Sequence, residues 1–260
     1  MTPEQVTRAA EYFARARREA ARFDTLPPDC RLPDIDSGYA VQEALHDTLG
    51  VPVIGYKIGC TTEVMQKFLK IAHPCGGSIQ ETGVHPSSAA LQHDQFRRVG
   101  VECEIAVRLG RDLPADEAPF DRDMVADAVA SCMAAIEIVD DRYADYSKLD
   151  AQTLIADDFF GAGCVLGEPR SDWQSLDLAA ITAAMSINGV EVGNGAGSHV
   201  MGHPFEALAW LATTLAKRGR GLERDRIVLT GSIVETQWVD ASDIVSVLVE
   251  GLGTAEVRFT

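Results

Sequence analysis

The chain is short of basic residues, of long apolar runs and of paired cysteines. Its 260 residues include 23 Lys and Arg against 39 Asp and Glu, a net charge of −16. This balance argues against a nucleic-acid partner and against an anionic membrane surface, because both attract clustered Lys and Arg. No apolar run approaches the length of a membrane span, and the first turns lack the apolar stretch of an export signal.

The six cysteines form no CxxC pair, and no paired-His motif accompanies them. Zinc is therefore disfavoured, and we expect reduced, mostly buried thiols in a cytoplasmic protein. The phosphate-binding patterns GxGxxG and GK[ST] are also missing, so Gly193–Ser198 predicts a tight turn and not a nucleotide site.

Two amphipathic helices are predicted in the first fifty residues, one starting after Thr2 and one spanning Tyr39 to Leu49. A further helix follows Asp121, with an apolar side that runs to Cys132. From Gly55 onward, short apolar runs separated by Gly, Pro and Asp favour strands. Because these strands do not alternate regularly with helices, we expect an α+β fold with a mixed sheet or barrel. The N-terminal helical region is placed at residues 1–75 and the catalytic β-rich domain at 76–260.

Two carboxylates share one face of a predicted core strand. In Val101–Val107, side chains alternate between faces, so Glu102 and Glu104 lie on the same side, about 7 Å apart along the strand. A second acidic strand places Glu137 between Ile136 and Ile138. Buried carboxylates need compensation, and three of them supply part of the oxygen set that Mg²⁺ or Mn²⁺ prefers. The alternative is an ion network in which they pair with arginines, for which Arg98, Arg108 and Arg142 are candidates.

Lys57 is a single cation in the glycine-bounded strand Gly55-Tyr56-Lys57-Ile58-Gly59. A lysine with a buried stem and a solvated ammonium is the commoner case, but the glycines would allow a ligand to approach the backbone closely. We therefore assign Lys57 to an anionic substrate or to proton transfer. Two further candidates for the site are His203, before Pro204, and the donor-rich segment Thr230-Gly231-Ser232; a helix entry and an ordinary polar turn are the alternatives.

Several spaced blocks of the sequence resemble a known family. The blocks run in order from about residue 38 to the C-terminus: Gly55–Thr61, Glu102-x-Glu104, Ala135–Asp140, Ile155-Ala156-Asp157, Gly202-His203-Pro204 with Ala209-Trp210-Leu211, and Leu229–Ser232. They resemble the 2-keto-4-pentenoate hydratase and 4-oxalocrotonate decarboxylase branch of the fumarylacetoacetate hydrolase superfamily.

The resemblance implies a mixed β-roll or sandwich with an N-terminal helical region, a Mg²⁺ or Mn²⁺ ion, and a homo-oligomer. It implies Glu102, Glu104 and Glu137 as metal ligands, Lys57 as a catalytic residue, and Thr230 with Gly231 in a pocket for the substrate carboxylate. Ser232 and His203 are taken as further substrate contacts.

The chain departs from the family pattern at two places. Aromatic Phe159 and Phe160 replace small polar groups in Ala156–Ala162, so Phe160 is taken as a substrate contact. For the acidic residue that hydratases carry after a Gly-x-Leu segment, Glu81 is the nearest candidate and is taken as catalytic.

The resemblance implies a hydratase acting on a small 2-hydroxydienoate or 2-oxo-alkenoate such as 2-keto-4-pentenoate, in the catabolism of aromatic compounds. The same metal site would serve a 4-oxalocrotonate-type decarboxylase or a hydrolase of acylpyruvates, because each reaction forms an enolate. A metal-binding homologue without activity is the remaining alternative.

Overall fold

Two mixed β-sheets, one packed on the other, form the body of the protein in the computed structural model, which describes residues 1–260. The α-helices are α1 (Pro3–Arg18), α2 (Ile35–Leu49), α3 (Glu63–Leu69), α4 (Arg122–Ala126), α5 (Ala151–Ala156) and α6 (Pro204–Ala216). The strands are β1 (Val53–Gly59), β2 (Cys75–Gln80), β3 (Val84–Pro86), β4 (Ala89–Leu91), β5 (Val99–Leu109), β6 (Val129–Asp140), β7 (Gly161–Leu166), β8 (Thr182–Ile187), β9 (Val190–Ala196), β10 (Ile227–Trp238), β11 (Ile244–Val249) and β12 (Gly253–Phe259).

The first sheet has seven strands in the order β2-β1-β10-β5-β6-β7-β3, and the second has five in the order β4-β12-β11-β8-β9. Strands β11 and β12 pack on β6, so the main hydrophobic core lies between the sheets. Strand β2 also approaches β7, which means that the seven-stranded sheet curls toward a roll. The predicted α+β fold with a mixed roll or sandwich is confirmed.

Both N-terminal helices begin at side-chain caps. The Thr2 hydroxyl accepts a hydrogen bond from the backbone N–H of Gln5, as predicted for the first helix. Helix α2 begins at Ile35, earlier than the predicted Tyr39, because the Asp34 carboxylate caps it by accepting from Ser37 N. The two helices pack on each other, and α2 also packs on α5. Apolar side chains of these helices form a second core cluster.

The placement of β1 differs from the predicted division at residue 75. Strand β1 pairs in parallel with β10 and antiparallel with β2, so it lies inside the seven-stranded sheet. The helices of residues 1–75 are α1, α2, the short α3 and a 3₁₀ turn at Pro28–Cys30. Lys57, on β1, therefore belongs to the β-rich body.

Two local predictions are wrong. The helix after Asp121 ends at Ala126, and Val129–Asp140 is a strand because it pairs with β5 as far as Leu109. The segment predicted as a turn at Gly193–Ser198 belongs mostly to β9. A Cβ at Gly193 would lie 2.4 Å from Val234 Cγ1, so glycine is needed there for the close approach of β9 to β10.

No helix of the structure is both long and apolar enough to cross a membrane.

Candidate active site

Three glutamates meet on the inner face of the curled sheet. Glu102 on β5 lies directly opposite Glu137 on β6, and Glu104 follows on the same face of β5. One carboxylate oxygen from each residue lies within 4.8 Å of those of the other two. Glu104 and Glu137 are buried, whereas Glu102 is partly exposed. The sequence pattern therefore places all three residues correctly on one face.

Burial and mutual repulsion disfavour the ionised carboxylates. Burial and the neighbouring Glu137 raise the pKa of Glu102 to about 6, although Lys57 and the Thr236 hydroxyl act in the opposite direction. Burial and repulsion from Glu137 and Glu102 raise the pKa of Glu104 well above its ordinary value. Three carboxylates this close need positive charge between them.

The residues present fit a divalent cation. Glu104 Oε1 is buried without a hydrogen-bond partner, and Glu137 Oε1 has only an ion pair with Lys57. Glu104 Oε2 is fixed by the backbone N–H of Gly231 at 2.8 Å, and Glu102 accepts from Thr236 Oγ1. Free oxygens on oriented carboxylates suit a hard cation such as Mg²⁺ or Mn²⁺.

The arginine network that was the alternative to a metal site is not formed by these glutamates. Arg98 pairs with Asp141, and Arg142 pairs with Asp157. Arg108 donates to the backbone carbonyl of Asp225. Since none of these arginines neutralises the three glutamates, the structural alternative to a metal site loses its support.

Lys57 lies beside the glutamates and is itself buried. Its Nζ is 3.1 Å from Glu137 Oε1 and donates a hydrogen bond of 2.6 Å to the backbone carbonyl of Phe159. Burial disfavours the ammonium, but the attraction of Glu137 and Glu102 outweighs it and raises the pKa of Lys57 above its ordinary value. The commoner arrangement, an ammonium in water, is therefore not present.

The segment Thr230-Gly231-Ser232 lies next to the glutamates, but its donors are already used. The Thr230 hydroxyl donates to the carbonyl of Ile105 at 2.8 Å, and the N–H of Gly231 donates to Glu104. The Ser232 hydroxyl donates to the carbonyl of Val234. In this arrangement Gly231 orients a carboxylate of the protein, which differs from the predicted pocket for a substrate carboxylate.

Two predicted site residues lie elsewhere. Glu81 is exposed in the short turn Glu81–Gly83 and makes no side-chain ion pair, because the chain leaves β2 there toward the surface. His203 caps α6: its Nδ1 accepts from Phe205 N, and its ring lies against that of Phe205. The structure brings neither residue to the glutamates, and the helix-entry alternative describes His203.

Of the two aromatic residues that replace small polar groups, Phe159 contacts Lys57, whereas Phe160, the predicted substrate contact, does not. The Phe159 ring centroid is 5.1 Å from Lys57 Nζ, and its carbonyl accepts the hydrogen bond described above. Phe160 instead packs edge-on against Tyr143 and Tyr146. The sequence indicated that this segment is unusual. It could not predict that the Phe159 carbonyl accepts a hydrogen bond from Lys57, because every residue type has a backbone carbonyl.

A cavity of about 460 Å³ lies outside the glutamate group. It is bordered by Arg17, His85 and Arg97 among others, but by none of the three glutamates and not by Lys57. The charges of Arg17 and Arg142 on its wall are neutralised by Asp157 and Asp158. The cavity therefore lies apart from the unneutralised glutamates.

Three clustered glutamates, two of them buried, lie beside a buried lysine inside a curled mixed sheet, and this combination defines a carboxylate-rich candidate metal site. Residues 69–260 match the family described as Fumarylacetoacetate (FAA) hydrolase C-terminal, and the chain belongs to this family. The predicted family is confirmed.

Named relatives lie in the predicted branch of this family. A 2-hydroxyhexa-2,4-dienoate hydratase of Comamonas testosteroni is 36% identical over 219 residues, which are 83% of this chain and 81% of the relative. A 2-keto-4-pentenoate hydratase of Burkholderia vietnamiensis is 32% identical over 257 residues, 96% of this chain and 97% of the relative.

A solved structure shares the whole fold. The 4-oxalocrotonate decarboxylase from Pseudomonas putida G7, complexed with magnesium and adipate, superposes with a TM-score of 0.93 at 25% identity. The match covers 100% of this chain and 99% of the decarboxylase. The chain is therefore an enzyme of the FAA hydrolase family, and the relatives that resemble it include both hydratases and a decarboxylase.

Proposed function

We propose that the chain is a divalent-metal-dependent hydratase that adds water to a 2-hydroxydienoate or 2-oxo-alkenoate such as 2-keto-4-pentenoate. The observation that carries this proposal is the group formed by Glu102, Glu104 and Glu137 beside Lys57. The hydratases of Comamonas testosteroni and Burkholderia vietnamiensis support the choice of substrate class and a place in the catabolism of aromatic compounds.

Glu102, Glu104 and Glu137 would hold the metal, which we propose to be Mg²⁺ or Mn²⁺. Glu104 Oε1, which is buried without a partner, and Glu137 Oε1, whose one partner is the Lys57 ammonium, support this assignment, as does the magnesium bound by the related decarboxylase. A cation held there supplies Lewis acidity toward an α-keto acid, which favours enolate chemistry. With three carboxylates as ligands, the remaining coordination positions are open to water and substrate.

Lys57 is the proposed catalytic residue. Its ammonium has three N–H donors, and two of them face fixed acceptors, Glu137 Oε1 and the Phe159 carbonyl. One donor is therefore left for a substrate oxygen or for transfer of a proton to the substrate. The surrounding burial excludes water from this donor and strengthens its electrostatic interaction with an anionic substrate.

Decarboxylation is the second candidate function. It is favoured by the likeness of the whole fold to the decarboxylase from Pseudomonas putida G7. Loss of CO₂ from the distal carboxylate of 4-oxalocrotonate moves the electron pair of the broken C–C bond through the conjugated double bond onto the 2-oxo group, which gives an enolate. Addition of water to a 2-oxo-alkenoate also passes through an enolate, so the glutamates and Lys57 suit either reaction.

A substrate panel scored by product tests the proposal. The purified protein with Mg²⁺ is incubated with 2-keto-4-pentenoate, 2-hydroxyhexa-2,4-dienoate, 4-oxalocrotonate and an acylpyruvate. Hydration conserves all carbons of the first two compounds, decarboxylation releases CO₂ from the third, and hydrolysis splits the fourth into two acids. Formation of the hydrated product supports our proposal. A protein that binds Mn²⁺ but converts none of the four compounds would contradict it.

We also propose a cytoplasmic homo-oligomer. All six cysteines are free and buried, which supports a reducing compartment. Val190 on β9 and Leu248 on β11 are exposed on the five-stranded sheet, and exposed apolar side chains of this kind support contact with another copy.

A further inference from the structure

Three consecutive residues beside Lys57 adopt the left-handed backbone region. Asp158, Phe159 and Phe160 have φ values of 57°, 49° and 66°. Side chains with a Cβ rarely adopt this region, and a run of three persists only where the surroundings fix it. The run joins α5 to β7, so it must turn sharply between two buried elements.

The turn places a backbone carbonyl on the catalytic lysine. The Phe159 carbonyl accepts from Lys57 Nζ at 2.6 Å, while Glu137 lies 3.1 Å from the same nitrogen. On the neighbouring strand, a Cβ at Gly77 would lie 2.7 Å from the Asp158 carbonyl and 3.0 Å from Lys57 Cε. The Lys57 side chain and the Asp158 carbonyl therefore both pack closely against Gly77, where no side chain would fit.

The N-terminal helices hold the turn through the Asp158 carboxylate. Its Oδ1 accepts from the backbone N–H of Ser78 at 3.0 Å and lies 2.9 Å from His46 Nε2 on α2. Its Oδ2 accepts from Arg17 Nη2 on α1 at 3.1 Å. We call Arg17, His46, Ser78 and Asp158 the Asp158 cluster. Asp158 is only 2% exposed, so it depends on these partners for compensation of its charge.

We propose that Asp158 is a positioning residue for Lys57, and that Arg17 and His46 extend this function into the N-terminal helices. The role assumes the proposed reaction, in which Lys57 contacts the substrate. Loss of Arg17 would leave the Asp158 carboxylate without its guanidinium partner. The left-handed turn would then relax, and the Phe159 carbonyl would move away from Lys57 Nζ. The three glutamates are held by β5, β6 and β10, so the metal ligands would keep their positions.

Kinetics of arginine variants on α1 test this role. Arg17→Met should lower kcat by about 10-fold to 100-fold, the effect of a displaced catalytic group, and change KM and Mn²⁺ affinity by less than about 3-fold. Arg17→Lys restores a positive charge and should recover part of kcat. The matched control is Arg8→Met on the same helix, which removes only the exposed ion pair with Asp29. A folded Arg17→Met protein with the kcat of the control would overturn the proposal.

Asp158→Asn provides a second variant if Arg17→Met does not fold, because asparagine keeps an oxygen for the Ser78 N–H. We expect a fall in kcat in the same direction, with Mn²⁺ affinity unchanged. Equal loss of kcat and of Mn²⁺ affinity would count against a specific effect on Lys57.

Chemical labelling tests the same role without a substrate. Lys57 is buried, whereas Lys67, Lys70, Lys148 and Lys217 are exposed. Under reductive methylation, Lys57 should react slowly in the wild-type protein and in Arg8→Met, and at least about 10-fold faster in Arg17→Met, relative to Lys148 as internal reference. Unchanged protection of Lys57 in Arg17→Met would overturn the positioning role. This result does not depend on turnover, so failure of the proposed hydration is distinguishable from failure of the positioning role.

Discussion

Glu102 on β5 and Glu137 on β6 are direct partners across an antiparallel pair of strands. Like charges placed opposite each other in a sheet are destabilising, and burial adds to that cost. The arrangement is nevertheless built into β5 and β6, two adjacent strands in the middle of the first sheet, with Glu104 and Lys57 beside it. Because a bound cation would relieve the repulsion between these carboxylates, the site is well suited to bind one.

Replacement of Glu104 by glutamine should lower metal-dependent turnover more than about 100-fold, because it removes the negative charge of a proposed metal ligand. The fold should remain, since the amide relieves the repulsion that raises the pKa of Glu104. Mn²⁺ titration calorimetry, turnover and thermal unfolding measure the three effects. In wild-type protein Mg²⁺ should raise Tm, and this rise should be lost in Glu104→Gln. The exposed Glu256→Gln is the control; normal turnover in Glu104→Gln would exclude the assignment.

Replacement of Lys57 by methionine should lower kcat by about 10²- to 10⁴-fold, the range expected when a proton-transferring group is lost. Substrate binding should be less affected, because the glutamates and their cation remain. Steady-state kinetics separate kcat from KM, and Lys148→Met, which removes an exposed ion pair with Asp145, serves as the comparison. An unchanged kcat would show that Lys57 has no chemical role.

Two adjacent glycines of β2 should differ sharply in their tolerance of alanine. In Gly77→Ala the new methyl group would meet the Asp158 carbonyl at 2.7 Å and Lys57 Cε at 3.0 Å, so we expect a loss of about 1–3 kcal/mol in stability and a lower kcat. In Gly76→Ala the nearest atom is Tyr39 Oη at 3.5 Å, an ordinary contact. Urea unfolding measures the stability of the Gly77→Ala and Gly76→Ala variants, and steady-state kinetics measure their kcat. Equal effects of both substitutions would argue against a tight fit around Lys57.

The stability supplied by Asp158 should depend on pH in the acid range. Burial alone would raise the pKa of this carboxyl, but His46 and Arg17 outweigh burial and hold its pKa well below the ordinary value of 3.8. A carboxyl with a depressed pKa stabilises the fold above its unfolded-state pKa and loses that contribution as pH falls further. At about pH 5 the free energy of unfolding of wild type should therefore exceed that of Asp158→Asn. The excess should shrink as pH falls through about 4 and below.

Urea unfolding at a series of pH values measures this difference. The exposed Asp24→Asn variant should show no comparable change relative to wild type. A difference between wild type and Asp158→Asn that does not vary with pH would mean that the Asp158 charge does not stabilise the fold.

The sequence located the glutamates well because their signal is local. The side-chain period of two puts Glu102 and Glu104 on one face, and Glu137 between two isoleucines marks a second acidic strand. Lys57 was found for the same reason, as a charge in a glycine-bounded apolar strand. In contrast, the length of the helix after Asp121 was misjudged because its apolar residues fit a buried strand equally well, and only pairing with β5 decides between them.

The sequence by itself determined the acidic strands, the N-terminal helices, the absence of nucleotide motifs and the family. Only the tertiary structure decided which carboxylates converge, that Glu81 and His203 lie apart from them, and that Arg17, His46 and Asp158 hold the turn at Lys57. The physical reason is distance along the chain. Arg17 and Asp158 are 141 residues apart, and a backbone carbonyl such as that of Phe159 has no residue type, so no periodic pattern could connect them to Lys57.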